Sequence, residues 1–362
     1  MKALFLFKNL FFIFILVTCI LFYVPYFADP TDKQTDPSTD PSTDTPTGLL
    51  SENCTCKSQT SGKNYDFCYK NPHNSELIGK KFECSSLMHL ENMKLVDSSG
   101  PFQDLKDKTR SEVSEVFVTA FSDDHMKEGS NELKTIRKYY KNQKIIIYGL
   151  HLSKTNQDKL TKEYPGVEIR EFDYSKYPKM VENLKEYRFK SLLIAEVMKE
   201  YTNVWWSDAH IALTKPEIKS TVYEEIAEGF AEKKNPINSS ILVPYYTSHS
   251  NFAVLFPELL QYFPQPDINL LKNTQFASGF IYFARTPQTI EIVKWWVLCA
   301  LDKECMAPNG AQLKCSWGPN RFDYFAGCYR YDQSVINVLL MNEHKDDKKF
   351  VGSVGSYLTT IY

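Results

Sequence analysis

Between residues 113 and 213, short runs rich in Val, Ile, Phe and Trp alternate with stretches of helical length. VSEVFVTAF (113–121), KIIIYGL (144–150), VEIREFDY (167–174) and NVWWSDAHIAL (203–213) read as strands. HMKEGSNELKTIRKYYK (125–141), KTNQDKLTKEY (154–164) and LKEYRFKSLLIAEVMKEY (184–201) separate them and read as helices. Strands that alternate with helices build parallel crossover units, a sheet covered by helices on both faces. Parallel strands buried on both sides read as unbroken apolar runs, as KIIIYGL and the start of NVWWSDAHIAL do. The pattern continues less regularly: PEIKSTVYEEIAEGFAEKK (216–234) is helical, and ILVPYY (241–246) and FASGFIYFAR (276–285) are strands. PQTIEIVKWWVLCALDK (287–303) is a helix opened by Pro287, and RYDQSVINVLLMNEH (330–344) is one entered through Asp332.

What precedes the sheet indicates the compartment. Leu10 to Ala28 is uncharged and apolar, and about 20 such residues cross a bilayer as a helix. Lys2 and Lys8 before it, with Asp29 and Asp32 after it, turn the amino end toward the cytosol. A cleaved signal peptide wants a small residue two positions before Ala28, where Tyr26 stands. The expectation is a single-pass type II membrane protein: a cytosolic tail over 1–9 and a signal anchor over 10–28. From Asp29 to Gly48 there is no aromatic or aliphatic residue, and TDPS recurs in tandem, so 29–50 reads as a disordered stalk open to O-glycosylation. The rest then lies in the lumen of the Golgi or of another secretory-pathway membrane. A formal charge of -2 gives no footing for nucleic acid.

Cys19 falls inside the anchor, and the other cysteines form two groups: Cys54, Cys56, Cys68, Cys84 and Cys299, Cys305, Cys315, Cys328. An even number in an oxidising compartment favours disulfides, and Cys54-Thr55-Cys56 lacks the paired spacing of a zinc site. Pairing within each group is the simplest arrangement. Asn53 and Asn238 head glycosylation sequons. Residues 51–110 carry the first cysteine group with weak periodicity and are expected to form an irregular cap on a domain over 111–362.

The first strand is followed by no GxGxxG, and the chain has no P-loop and no GxSxG elbow. Candidate chemistry therefore comes from strand ends, where parallel sheets bind ligands. The first strand ends in Ser122-Asp123-Asp124-His125, whose acids also suit capping of the next helix. Asp208 and His210 are two apart, so on a strand they share a face, and both are competent ligands for manganese or magnesium. The plain alternative has Asp208 capping a turn and His210 facing solvent. Lys190 can meet a phosphate as a point charge or simply be solvated. Tyr174 and Tyr177 can stack on a nucleobase or serve as wall. Trp205 and Trp206 are expected on opposite faces of the sheet, and Trp295 and Trp296 in core and rim.

These residues resemble a known pattern. An apolar strand ending in D-x-D or a variant, here Asp208-Ala209-His210, resembles the nucleotide-sugar site of GT-A glycosyltransferases. YRFKSLLIAEVMKEY resembles the helix that precedes that motif, with Lys190 as its donor-side basic residue. FASGFIYFAR resembles the glycine-bearing strand, with Ser278 and Gly279, and YRYDQSVINVLL resembles the D-Q-x-x-x-N stretch of retaining members, with Asp332, Gln333 and Asn337. More narrowly, VTAFSDDH, IIIYGLHLS, FDYSKYP, YRFKSLLIAE, WWSDAH, ASGF and YRYDQS in order resemble a nematode-expanded family of luminal proteins of unknown function.

The resemblance implies a GT-A-like, mostly parallel mixed sheet and transfer from a nucleotide sugar to a glycan or glycoprotein. It places Asp208 and Asp332 in the chemistry, and Lys190, Ser122, Ser278, Gly279 and Gln333 around the donor. Asp208 and His210 would hold a divalent cation, with His210 leaving that site one negative charge short. The same substitution favours a rival, a luminal binding protein without activity. A methyltransferase is disfavoured by the missing glycine-rich first loop.

Overall fold

The computed structural model describes residues 54–107, 114–231 and 235–361. The tail (1–9), anchor (10–28), stalk (29–50), Cys19 and Asn53 lie outside them. Among the described residues, no helix is long and apolar enough to cross a membrane.

The described residues begin with two hairpins, β1 (Thr55–Lys57) with β2 (Asn64–Asp66) and β3 (Cys68–Asn71) with β4 (Asn74–Lys81), followed by α1 (Leu87–Asn92). Disulfides Cys54–Cys68 and Cys56–Cys84 tie these pieces together, and Cys299–Cys305 and Cys315–Cys328 complete the within-group pairing expected from sequence. The segment is thus more regular than its weak periodicity suggests. Its Phe67, Tyr69 and Phe82 lie in the same apolar core as the sheet.

The crossover region follows as β5 (Glu115–Phe121), α2 (Met126–Tyr139), β6 (Ile145–Gly149), α3 (Lys154–Glu163), β7 (Val167–Glu171), α4 (Phe189–Val197) and β8 (Asn203–Ser207). After β9 (Ile211–Leu213) and α5 (Ile218–Ala231) come β10 (Ile241–Leu242), β11 (Tyr246–Ser250), β12 (Thr274–Phe276) and β13 (Phe280–Ala284). α6 (Pro287–Leu301), α7 (Asp332–His344) and β14 (Leu358–Thr360) complete the chain.

The central sheet has the order β10-β13-β8-β5-β6-β7. β8, β5, β6 and β7 run parallel, while β13 is antiparallel to both β8 and β10. The architecture is therefore α/β with a mostly parallel, mixed sheet, as expected. The chain moves outward from β5 through β6 to β7, then α4 returns it to place β8 on the other side of β5. That reversal is a topological switch point, and it opens a crevice at the carboxyl ends of β5 and β8.

Period-two alternation sorts the strands onto two layers. Trp205 faces α2 and α5 with Phe117, Ile147 and Tyr282, whereas Trp206 faces α4, α6 and α7 with Val118, Ile146 and Phe283. Both indoles are fully buried, as expected for a central strand. Trp295 and Trp296 are both core: the rim position expected for one of them does not exist, because Tyr69 sits edge-on to Trp295 at 5.4 Å.

NVWWSDAHIAL is not one strand. β8 stops at Ser207, the Asp208 carbonyl accepts from the Ile211 N–H at 2.8 Å, and β9 pairs instead with β14. Asp208 and His210 therefore occupy a turn rather than one face of a strand. FASGFIYFAR breaks likewise, with β12 pairing with β11 and residues 277–279 bending before β13. ILVPYY yields only β10 before Pro244, which has no N–H to donate to a ladder. Asn238 is exposed.

Candidate active site

The crevice is a cavity of about 980 Å³. Ser122, Lys190, Asp208, His210, Ser278, Gly279, Asp332 and Gln333 all line it. Four chain segments meet at its floor. α4 carries Lys190, the turn after β8 carries Asp208, the bend before β13 carries Ser278 and Gly279, and α7 opens with Asp332.

Lys190 is not solvated, although a lysine at a helix start usually is. Its side chain is 2% exposed, and Nζ lies 3.1 Å from Asp208 Oδ1 and 2.9 Å from Asp332 Oδ2. It also donates to the main-chain oxygen and hydroxyl of Ser278, both at 3.2 Å. Burial alone would lower the Lys190 pKa, but the two carboxylates outweigh it and hold the ammonium above its ordinary value. Burial pushes Asp332 up, against the opposing pull of Lys190. Asp208 is the more open acid, with a side chain 19% exposed, and its Oδ1 accepts from Trp206 Nε1 at 2.7 Å.

The D-Q-x-x-x-N residues divide their roles. Asp332 is not the helix N-cap, a position that falls to Tyr331; its carboxylate turns inward to accept from Ser278 Oγ at 2.7 Å. Gln333 Oε1 accepts from the Ser278 N–H at 3.2 Å. Asn337 lies deeper, bonding both the N–H and the carbonyl of Phe276, and so fixes the bend that delivers Ser278 and Gly279. Just ahead of the helices that supply the two charged ends stand non-glycine residues with positive φ, Tyr187 (φ 53) and Tyr331 (φ 43). Such backbone costs on the order of 1–3 kcal/mol and persists only where its surroundings enforce it.

Other sequence candidates fall elsewhere. Ser122 lines the cavity, but its hydroxyl bonds Asp124. Neither Asp123 nor Asp124 caps α2; Asp123 Oδ1 instead accepts from the Ser153 N–H and Asn156 Nδ2, fixing the start of α3. Tyr174 and Tyr177 cannot receive a base. Tyr174 stacks on His151 at 4.7 Å, and Tyr177 has Phe172 and His89 against it. Sequence reasoning missed Trp206, although the period-two argument that paired Asp208 with His210 also pairs Trp206 with Asp208. It missed Arg188, Tyr187, Arg330 and His249 as well. Glu132, wholly buried beneath the strand ends, accepts from Thr119 Oγ1 at 2.8 Å and is pushed well above the usual carboxylate range by burial.

The residues present do not suit a divalent cation. Asp208 Oδ1 already serves Trp206 and Lys190, and Oδ2 is 3.4 Å from Lys190 Nζ. No group of three or more His, Cys, Asp and Glu among the described residues could hold an ion. A doubly charged ion about 4 Å from the ammonium is repelled by roughly 8 kcal/mol at an effective dielectric near 20, which cancels the attraction of one carboxylate at the same range.

His249 also lines the cavity, with Nδ1 3.2 Å from the Ser250 carbonyl. Burial, aided by Arg330 and Arg321, lowers its pKa from 6.5 to about 4. A depressed histidine opposes protonation of the folded state, so its contribution is full above the unfolded value of 6.5 and is lost as pH falls toward 4. Thermal melts at pH 7.5 and 5 should show a loss of about 1–2 kcal/mol from this residue, absent in His249→Gln.

A family model described as a protein of unknown function (DUF1647) matches residues 54–195. That span includes Lys190 but ends before Asp208, Ser278 and Asp332. No curated protein matches in sequence. Among solved structures, the apo WbbM bifunctional glycosyltransferase is 14% identical over 63% of this chain and 37% of its own, with a TM-score of 0.37. This chain thus spans well under two thirds of that protein. Galactosyltransferase LgtC, solved with donor and acceptor sugar analogues, is 11% identical over 62% of this chain and 70% of its own, with a TM-score of 0.34. Core-mannan synthase A from Aspergillus fumigatus in its Mn/GDP form is 9% identical over 74% and 82%, with a TM-score of 0.42.

Proposed function

We propose that the crevice binds a nucleotide sugar and transfers the sugar to a glycan or glycoprotein acceptor. The observation that carries this reading is the Asp208–Lys190–Asp332 trio at the switch point, with Gly279 beside it. A Cβ on Gly279 would stand 3.3 Å from Asp208 Oδ2, so the glycine keeps that oxygen open to the cavity. Switch-point crevices of parallel sheets are where nucleotides bind. A carboxylate aimed into such a crevice accepts sugar hydroxyls, and a second buried carboxylate favours positive charge developing at the anomeric carbon. Asp208 orients the donor; Asp332, more deeply held, is the acid placed for the chemistry; Gln333 and Ser278 keep it there.

The test is a panel of nucleotide sugars followed by thermal shift and by release of the nucleoside diphosphate. No shift with any donor sinks the reading. Gly279→Ala should weaken donor binding about tenfold, or about 1.4 kcal/mol, because Asp208 Oδ2 must give way. Calorimetry on the variant checks it.

A second reading, a binding protein without transfer, draws on His210 standing where the pattern has an acid. A donor that binds but is never turned over would decide for it. We place the folded part in the secretory lumen behind a type II anchor. The four disulfides support an oxidising compartment, and exposed Asn238 is a candidate for glycan attachment there. Glycosidase-sensitive mobility of the expressed protein tests it.

A further inference from the structure

The counter-charge that a phosphate-binding crevice needs is already built into this floor, but it is turned inward. A lysine ammonium has three N–H donors. Those of Lys190 are met by Asp208, by Asp332 and by the oxygens of Ser278, all within 3.2 Å. The rings of Trp206 and Tyr187 enclose the same ammonium at 5.6 and 5.7 Å. No donor is left over for a phosphate, so the role of point charge toward the donor does not suit Lys190. What the trio offers a ligand is acceptor capacity, chiefly Asp208 Oδ2, whose nearest donor is at 3.4 Å and which the missing side chain of Gly279 leaves open. A metal ion entering here would have to take Asp208 from Lys190 and leave the ammonium buried beside it.

Positive charge that can reach a ligand lies on the walls instead. Arg330 and Lys185 both line the cavity. Arg330 uses Nη1 on the Leu313 carbonyl and Nη2 on Cys315 Sγ, and a guanidinium has five N–H donors.

We propose that this crevice binds its nucleotide sugar without a divalent cation. Lys190 is the fixed internal counter-ion that holds Asp208 and Asp332 apart and in place. Asp208 Oδ2 accepts a hydroxyl of the sugar over Gly279, and Arg330 with Lys185 meets the diphosphate. The inference rests on the nucleotide-sugar reading above.

The experiment is titration of the full chain with UDP-glucose, UDP-N-acetylglucosamine and GDP-mannose and with UDP and GDP, each in EDTA and in manganese. The expected result is a nucleotide sugar whose affinity is the same within about twofold in both conditions, against the tenfold change that 1.4 kcal/mol of cation help would give. Asp208→Asn should weaken that nucleotide sugar by about tenfold or more while leaving the nucleoside diphosphate within about twofold. Gly279→Ala, which keeps the trio, should show the same selective loss and covers the case in which Asp208→Asn fails to fold. An affinity that manganese raises about tenfold or more, with the gain lost in Asp208→Asn, overturns the proposal and leaves the nucleotide-sugar reading standing. So does equal weakening of sugar and diphosphate in both variants, because Asp208 would then not see the sugar. If no nucleotide sugar binds in either condition, the functional reading falls and this inference with it.

Discussion

Lys190→Met should lose about 3–5 kcal/mol of stability at neutral pH, the range measured when one partner of a buried ion pair is removed. The methionine fills the space but leaves Asp332, 4% exposed, and Asp208 facing each other without the ammonium. The expected melting temperature falls by roughly 5–8 °C. The pH dependence identifies the cause. Asp332 is already raised by burial, and losing Lys190 removes the contact that opposes that rise. A carboxyl with a folded pKa above its unfolded value favours the folded state when protonated, so the deficit should be greatest at pH 7.5 and shrink as pH falls toward the acid range. Lys190→Met combined with Asp332→Asn should recover much of the loss, a coupling that a double-mutant cycle by circular dichroism measures. A single variant that melts like wild type at pH 7.5 would show that the trio is not an ion cluster.

Arg188→Met is expected to cost a similar amount, about 3–5 kcal/mol, for a different reason. The Arg188 side chain is fully buried and its fork closes the end of α6. Nη1 donates to the carbonyls of Ala300 and Asp302 at 2.8 and 2.7 Å, Nη2 donates to that of Lys303 at 3.2 Å, and Nε pairs with Glu186. The last carbonyls of a helix have no partner within it, and that of buried Ala300 would lose its guanidinium donor, while those of Asp302 and Lys303 keep the N–H groups of Met306 and Ala307. Arg188→Lys keeps the charge but not the fork, and should fall between the two. Hydrogen exchange in the last turn of α6, read beside the melting curve, separates local fraying from global loss. Because Arg188 stands two residues before Lys190, donor affinity should fall in step with the fraying.

The layers of this fold were legible because strands buried on both faces leave unbroken runs such as KIIIYGL, and because amphipathic helices separate them. The disulfide groups and the polar positions around the cavity were legible for a similar reason: polar residues at the ends of apolar elements stand out. What escaped was whatever depends on a distant partner. Lys190 reads as solvated because Asp208 is 18 residues on and Ser278 is 88. Nothing marks Arg188 in the sequence, because its carbonyl acceptors lie 112 or more residues later. The strands of the N-terminal hairpins are mostly three or four residues long, too short for alternation to show. NVWWSDAHIAL looked continuous because its composition does not reveal that β13 accompanies it only to Ser207.

The separations also govern timing. A chain that folds as it is made can pair β5 with β8 before Ser278 or Asp332 exists, although β13, α6 and α7, which cover the two tryptophans, come later. Until they arrive, Lys190 has only Asp208 and stays wet. The floor can close only after the parallel strands β5 to β8 have been made, so contacts made there are expected to be absent from the early barrier. A bound nucleotide sugar would accordingly leave the folding rate nearly unchanged and slow unfolding, lengthening the life of the folded protein without hastening its formation.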